Sequence, residues 1–113
     1  MKKESKKILI WSYGNFFQKK ILPIMQFNNI TIEKIFSQKK NIKTNFFVTN
    51  NEKKFFKNNT SKVVYINTTQ KFHYLAIKKC LKNNLNVICE KSLCMTHKET
   101  IEVFKLAQKK ICF

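Results

Sequence analysis

The sequence has no arginine and no aspartate, and only one glycine, one proline and one tryptophan among its 113 residues. With no arginine, it lacks the side chain best suited to reading guanine or clamping phosphate through two parallel hydrogen bonds. The net charge of +17 comes from 23 lysines against 6 glutamates. Taken alone, that charge would fit phosphate-backbone binding. The lysine pairs, however, run evenly from Lys2-Lys3 through Lys39-Lys40 and Lys78-Lys79 to Lys109-Lys110. Such even spacing fits a chain-wide drift toward Lys, Asn, Ile and Phe and argues against nucleic acid as a partner. No apolar run approaches the roughly 18 residues needed to cross a bilayer. The lysine-rich start also lacks the apolar stretch and cleavage site of a signal peptide, so a cytoplasmic location is expected. Cys80, Cys89, Cys94 and Cys112 contain no C-x-x-C pair, and His73 and His97 are not at zinc-finger spacing. No metal site is expected, and the thiols read as reduced and mostly buried.

What the chain does have is apolar side chains: 43% hydrophobic residues, including 11 Phe. A chain of this length buries roughly 65% of its unfolded surface, which excludes a disordered basic tail and fits one domain over residues 1–113. Ile8-Leu9-Ile10-Trp11 is a short apolar run that ends at Ser12-Tyr13-Gly14-Asn15, and it predicts a buried strand. Helical spacing follows to about Phe27, with Pro23 removing one backbone donor. Further strands are predicted at Ile30 to Phe36, Phe46-Phe47-Val48, Val63-Val64-Tyr65-Ile66 and Asn86-Val87-Ile88-Cys89. A short helix is expected after Asn50-Asn51-Glu52, carrying Phe55 and Phe56. An amphipathic helix is expected from about Phe72 to Lys82, with Leu75, Ala76, Cys80 and Leu81 on one face. Thr96 and Glu99 form a capping box for a last helix, and Ile111-Cys112-Phe113 reads as the opening of one more strand. Continuous apolar strands alternating with helices predict a doubly wound α/β parallel sheet, helices on both faces, with its last strand incomplete. Ligands of such sheets lie outside the carboxyl ends of the strands.

At the first such end, a dinucleotide-binding fold places G-x-G-x-x-G. Here the six positions read Ser12-Tyr13-Gly14-Asn15-Phe16-Phe17, so only the middle glycine is present. Phe17 at the third position is expected to push the helix away from the strand, and an ordinary strand-to-helix turn at Gly14 is the competing reading. Further along, Val63 to Ile66 runs into Asn67-Thr68-Thr69-Gln70 and His73, a helix follows, and the next strand ends in Glu90-Lys91-Ser92. This pattern resembles the Gfo/Idh/MocA family of NAD(P)-dependent oxidoreductases, in which a strand enters A-T-P-N-x-x-H and the next ends in E-K-P. The resemblance runs from Lys7 to Phe113 and implies a Rossmann-like, nucleotide-binding N-terminal domain.

Position by position, the resemblance implies that Ser12, Gly14, Asn15 and Phe16 face the pyrophosphate. Thr68, Thr69 and Gln70 would line the nicotinamide side, His73 would pack beside the cofactor, and Glu90-Lys91 would close the site. Lys91 is the candidate catalytic group, since a partly desolvated ammonium can share its proton with a reacting hydroxyl or carbonyl. The second strand leads into Ser37-Gln38-Lys39-Lys40, where NAD-preferring sheets usually carry an acidic residue for the ribose. A hydroxyl with nearby ammonium groups at Ser37 and Lys39 suits a 2′-phosphate, so NADP is expected over NAD. The family also implies hydride transfer to or from a sugar or polyol, together with a C-terminal substrate domain that this chain lacks. The expectation is therefore a truncated dehydrogenase half that is inactive alone and partners a nicotinamide dinucleotide. The alternatives are a non-enzymatic subunit docking on a separately encoded substrate half, or a basic nucleic-acid module.

Overall fold

The computed structural model describes residues 6–39, 41–68 and 70–89, and for Gln70, Lys71 and His73 the backbone alone. Five strands, β1 (Lys6–Trp11), β2 (Ile30–Phe36), β3 (Val48–Thr49), β4 (Val63–Ile66) and β5 (Asn86–Cys89), form one sheet in the order β3-β2-β1-β4-β5. Every pairing is parallel. The expected doubly wound α/β sheet is therefore present. The expected helix after Thr96 and strand at Ile111 lie outside the described residues.

Side chains of β1 alternate between two cores. Ile8 and Ile10 pack with Tyr13, Phe17, Met25, Ile32, Ile35 and Tyr65 on one face. Leu9 and Trp11 pack with Phe36, Phe55, Val64, Ile66, Ala76, Ile77, Cys80 and Leu81 on the other. The first face is covered by a π-helical turn, Phe17–Ile21, that runs into α1 (Leu22–Phe27). The widened turn sits immediately before Pro23, whose ring would collide with the carbonyl four residues back in a regular helix and which has no N–H to offer. The Leu22 N–H reaches Phe17 O instead, five residues back. The second face carries α2 (Glu52–Phe56), capped by the Asn51 side chain, which accepts from Lys54 N at 3.0 Å, and α3 (Gln70–Lys82).

Three details depart from the sequence reading. The third strand is Val48–Thr49, because Phe46 and Phe47 lie before it and Phe47 is half exposed. On α3 the core residues are Ala76, Ile77, Cys80 and Leu81, while Leu75 is turned a further 100° toward the strand ends and is 53% exposed. Residues of β5 alternate between exposed and intermediate, so this strand is not buried on both faces as its apolar run implied.

With one glycine available, the tight turns fall to other residues. Asn29, Asn41, Asn58 and Asn84 all have positive φ, the left-handed region that asparagine tolerates best after glycine. Asn84 closes α3 in a double-bonded C-terminal turn, with Asn84 N donating to Leu81 O at 3.0 Å and Leu85 N to Cys80 O at 3.1 Å. Leu85 is buried in the core by that turn.

Candidate functional site

Registers align the carboxyl ends of the strands. Trp11 is level with Phe36 and Ile66, Phe36 with Thr49, and Ile66 with Cys89. The chain winds outward from β1 in one direction through β2 and β3, and in the other through β4 and β5. Loops leaving β1 and β4 therefore part at the switch point, and a crevice opens between them. A cavity of about 430 Å³ lies at this edge, lined by Trp11, Ser12, Phe36, Ser37, Gln38, Lys39, Glu52, Thr68, Phe72, Leu75, Ala76 and Lys79. Trp11 and Phe36 stack with ring centroids 4.1 Å apart and, with Phe72 and Leu75, supply an apolar wall.

The β1 loop places its one glycine and its one strained residue at different positions. Ser12 has φ 77 and is the only residue other than asparagine with positive φ among the described residues. This is the position of the fingerprint's first glycine, whose role is the tight turn. Gly14 has no positive φ, and a Cβ placed on it would meet only Asn67 Oδ1, at an ordinary 3.5 Å. The fold thus asks for a glycine where serine stands, and has one where the backbone alone does not need it.

Beyond Gly14 the helix begins at Asn15, and Gln18 N donates to Gly14 O at 3.0 Å. First-turn N–H groups of a helix have no partner within the helix, so they and the positive end of its dipole face the strand ends. Phe17 is fully buried between Tyr13 and Tyr65, with ring centroids 5.8 and 5.5 Å away. An aromatic layer thus stands where a third glycine would let helix and strand touch.

At the end of β2, Ser37 is buried, donates its N–H to Thr49 O at 3.0 Å and accepts from Lys39 N on its hydroxyl at 3.1 Å. Lys39 is exposed at the rim. Glu52, at the start of α2, reaches the same cavity and pairs with Lys79 Nζ at 2.6 Å. Both partners are about two-fifths exposed, so the pair neutralises charge more than it stabilises the fold. Below this wall Cys80 is buried. Its thiol is pushed well above the ordinary 9.0 by burial, with Glu52 adding to the shift and Lys79 opposing it. A thiol held protonated in this way is packing material rather than a nucleophile.

Residues 6–113 match the model of an oxidoreductase family with an NAD-binding Rossmann fold, Gfo/Idh/MocA. The chain belongs to this family. No curated protein sequence matches it significantly. Solved structures share the fold at low identity. An oxidoreductase from Bacillus cereus is 24% identical with a TM-score of 0.81, over 94% of this chain and 33% of that one. A 3-ketoreductase from Actinomadura kijaniata, solved with TDP-benzene and NADP, is 13% identical with a TM-score of 0.80, over 95% and 35%. The WlbA dehydrogenase from Chromobacterium violaceum, solved with NADH and UDP-GlcNAcA, is 11% identical with a TM-score of 0.77, over 98% and 34%. The chain spans about a third of the length of these proteins.

Of the candidate residues that the sequence singles out, Ser12, Ser37, Lys39 and Thr68 come together on one cavity. Gly14, Asn15 and Phe16 form the adjoining loop and helix start, where Asn15 and Phe16 are exposed. Gln70 and His73 lie in the first turn of α3 by their backbone. Thr69, Glu90 and Lys91 lie outside the described residues. Sequence reasoning missed Glu52, Phe72 and Lys79 in the lining. Phe72, Leu75, Ala76 and Lys79 follow one another at i, i+3, i+4 and i+7, a second helical stripe that the spacing alone could have flagged. Glu52 lies in the segment just after β3, where such sheets gather ligands, but only the sheet order brings α2 beside the end of β2. Among the described residues no helix is long and apolar enough to cross a membrane, and no group of metal-ligating side chains occurs.

Proposed function

We propose that this chain is the cofactor-holding part of an oxidoreductase that moves hydride between a nicotinamide dinucleotide and a sugar or polyol, with NADP preferred over NAD. The observation that carries this reading is the cavity at the ends of β1 and β2, whose lining fits the adenosine half of such a cofactor. Its apolar wall of Trp11, Phe36, Phe72 and Leu75 suits a flat base, and Ser37 and Lys39 would lie beside the ribose. The Ser37 oxygen already accepts from Lys39 N, so its proton is left to donate to a phosphate oxygen. Glu52 is the carboxylate of the lining, and Lys79 Nζ, 2.6 Å from its Oε2, offsets its charge. The Lys39 ammonium, without a carboxylate partner among the described residues, then supplies the charge that a 2′-phosphate requires. That neighbours of this fold were solved with NADP and with NADH supports a fold that takes either.

The pyrophosphate would lie along the Ser12, Gly14, Asn15 and Phe16 loop, and the N–H groups of Asn15 and Phe16 at the helix start would favour its charge. Thr68, Thr69, Gln70 and His73 would border the nicotinamide. The bound nicotinamide supplies the hydride exchange. Glu90 would close the site, and the Lys91 Nζ would hold the proton that passes to or from the substrate oxygen, the role that the family motif implies. The substrate half would come from a further domain or a separate partner chain, so residues 1–113 alone are expected to bind cofactor without turning over a sugar.

Fluorescence titration of the chain with NADPH and NADH tests the reading. NADPH should bind about tenfold more tightly, and Lys39→Ala should remove most of that difference. Tighter binding of NADH refutes the preference, and binding of neither refutes the cofactor reading.

A further inference from the structure

One side chain spans the crevice at the switch point. Asn67, the first residue after β4, accepts from Gly14 N on Oδ1 at 3.0 Å. Its Nδ2 donates to Ser12 O at 2.6 Å and to Trp11 O at 3.2 Å. Its backbone N–H also donates to Trp11 O, at 3.1 Å. The carboxamide thereby uses both its donor and its acceptor side on three backbone groups, of Trp11, Ser12 and Gly14, more than fifty residues away in sequence. An aspartate could accept from Gly14 but could not donate to the two carbonyls, and an alanine could do neither. The family motif has alanine at this place, so Asn67 is a departure of this chain.

Glycines normally tighten this loop, and here two of the three are absent. Ser12 holds a left-handed conformation that a residue with a Cβ adopts only when its surroundings enforce it. The groups that enforce it are visible: Phe36 O accepts from Ser12 N at 2.7 Å, and Asn67 holds the Ser12 carbonyl and the Gly14 amide.

We infer that Asn67 is a positioning residue for the dinucleotide, a side-chain clamp that replaces the missing glycines and holds the phosphate loop in its binding shape. This rests on the cofactor reading given above. One consequence is specific. The Gly14 N–H is committed to Asn67, so the pyrophosphate is met by the N–H groups of Asn15 and Phe16 and not by the one glycine. Because the loop is held ready before the ligand arrives, loss of the clamp is felt in affinity more than in folding.

The single glycine provides a direct probe, since ¹⁵N-glycine labelling gives one amide signal, that of Gly14. In the cofactor-free protein this amide should exchange with solvent at least about tenfold more slowly than an unprotected peptide, and it should stay protected when NADPH is added. In Asn67→Ala the protection should vanish, and NADPH should bind about 10- to 100-fold more weakly under conditions where both proteins are folded. Asn67→Asp should keep the Gly14 protection and still lose affinity, because the two carbonyls lose their donor and a negative charge is added. A Gly14 amide exchanging freely in the unsubstituted protein overturns the clamp, whether or not the variants fold. Equal NADPH affinity in the unsubstituted protein and Asn67→Ala overturns the positioning role while leaving the cofactor reading intact. If the unsubstituted chain binds neither NADPH nor NADH, the cofactor reading falls and this inference with it.

Discussion

Replacing Ser12 with glycine should make the protein more stable, although it removes side-chain atoms and adds no contact. Ser12 sits at φ 77, with its N–H fixed on Phe36 O at 2.7 Å and its carbonyl fixed by Asn67 Nδ2 at 2.6 Å. A left-handed conformation costs a residue with a Cβ about 1–2 kcal/mol, and glycine escapes that cost. Glycine in turn gives the unfolded chain more freedom, which takes back about 0.4–1 kcal/mol. Taking the middle of each range, the net gain is about 0.8 kcal/mol, or about 4 °C in Tm for a domain of this size. Urea unfolding followed by circular dichroism should show a higher midpoint with an unchanged slope, because the buried surface is the same. Ser12→Ala is the control: it keeps the Cβ and the strain, and should stay within about 0.5 kcal/mol of the original. A Ser12→Gly variant no more stable than the original, or a Ser12→Ala variant stabilised as much, would refute strain at this position.

Gly14→Ala should separate fold from function in the opposite sense. Its Cβ meets only Asn67 Oδ1 at 3.5 Å, so stability should hold or rise by about 0.4–1 kcal/mol in thermal unfolding, while NADPH titration shows weaker binding where the ligand must approach the backbone. Phe55 is fully buried against Trp11 and Phe36, with centroids 5.5 and 5.9 Å away, and Phe55→Ala should cost about 3–5 kcal/mol in urea unfolding. Cys80 gives the folded state an alkaline weakness. Burial raises its thiol above the ordinary 9.0, so its contribution is fully present below that value and is lost as pH rises, when the unfolded thiol releases its proton and the folded one does not. Unfolding midpoints measured from about pH 8 upward should fall more steeply for the original than for Cys80→Ala, which is less stable throughout because of the cavity it leaves.

Much of the fold was legible because its signals are local. Ile8 to Trp11 and Val63 to Ile66 are apolar runs of strand length, and Phe72 to Lys82 carries a helical stripe. Their alternation left few arrangements other than a parallel sheet. The limits of β3 were less legible, since Phe46 and Phe47 look like strand residues, and only pairing with Ile35 and Phe36 decides that the strand is Val48–Thr49. At the site, Ser12, Ser37, Lys39 and Thr68 could be picked out because each follows a strand, which is where such sheets gather their ligands. Asn67 and Glu52 also follow strands, but their roles, and Lys79 altogether, stayed hidden because what matters about them is a partner 27 or more than fifty residues away.

The sequence by itself determined the alternation of strands and helices, the scarcity of glycine and arginine, and the family motifs around His73 and Glu90-Lys91. These are properties of residue order and need no partner from elsewhere in the chain. Tertiary structure alone decided where the backbone is strained and what holds it there. A motif count finds a loop with one glycine of three. The folded loop shows that the left-handed turn falls on Ser12, that Gly14 is spared it, and that a carboxamide from the next strand closes the gap. Those three facts depend on β1 and β4 lying side by side, a contact that no local pattern encodes.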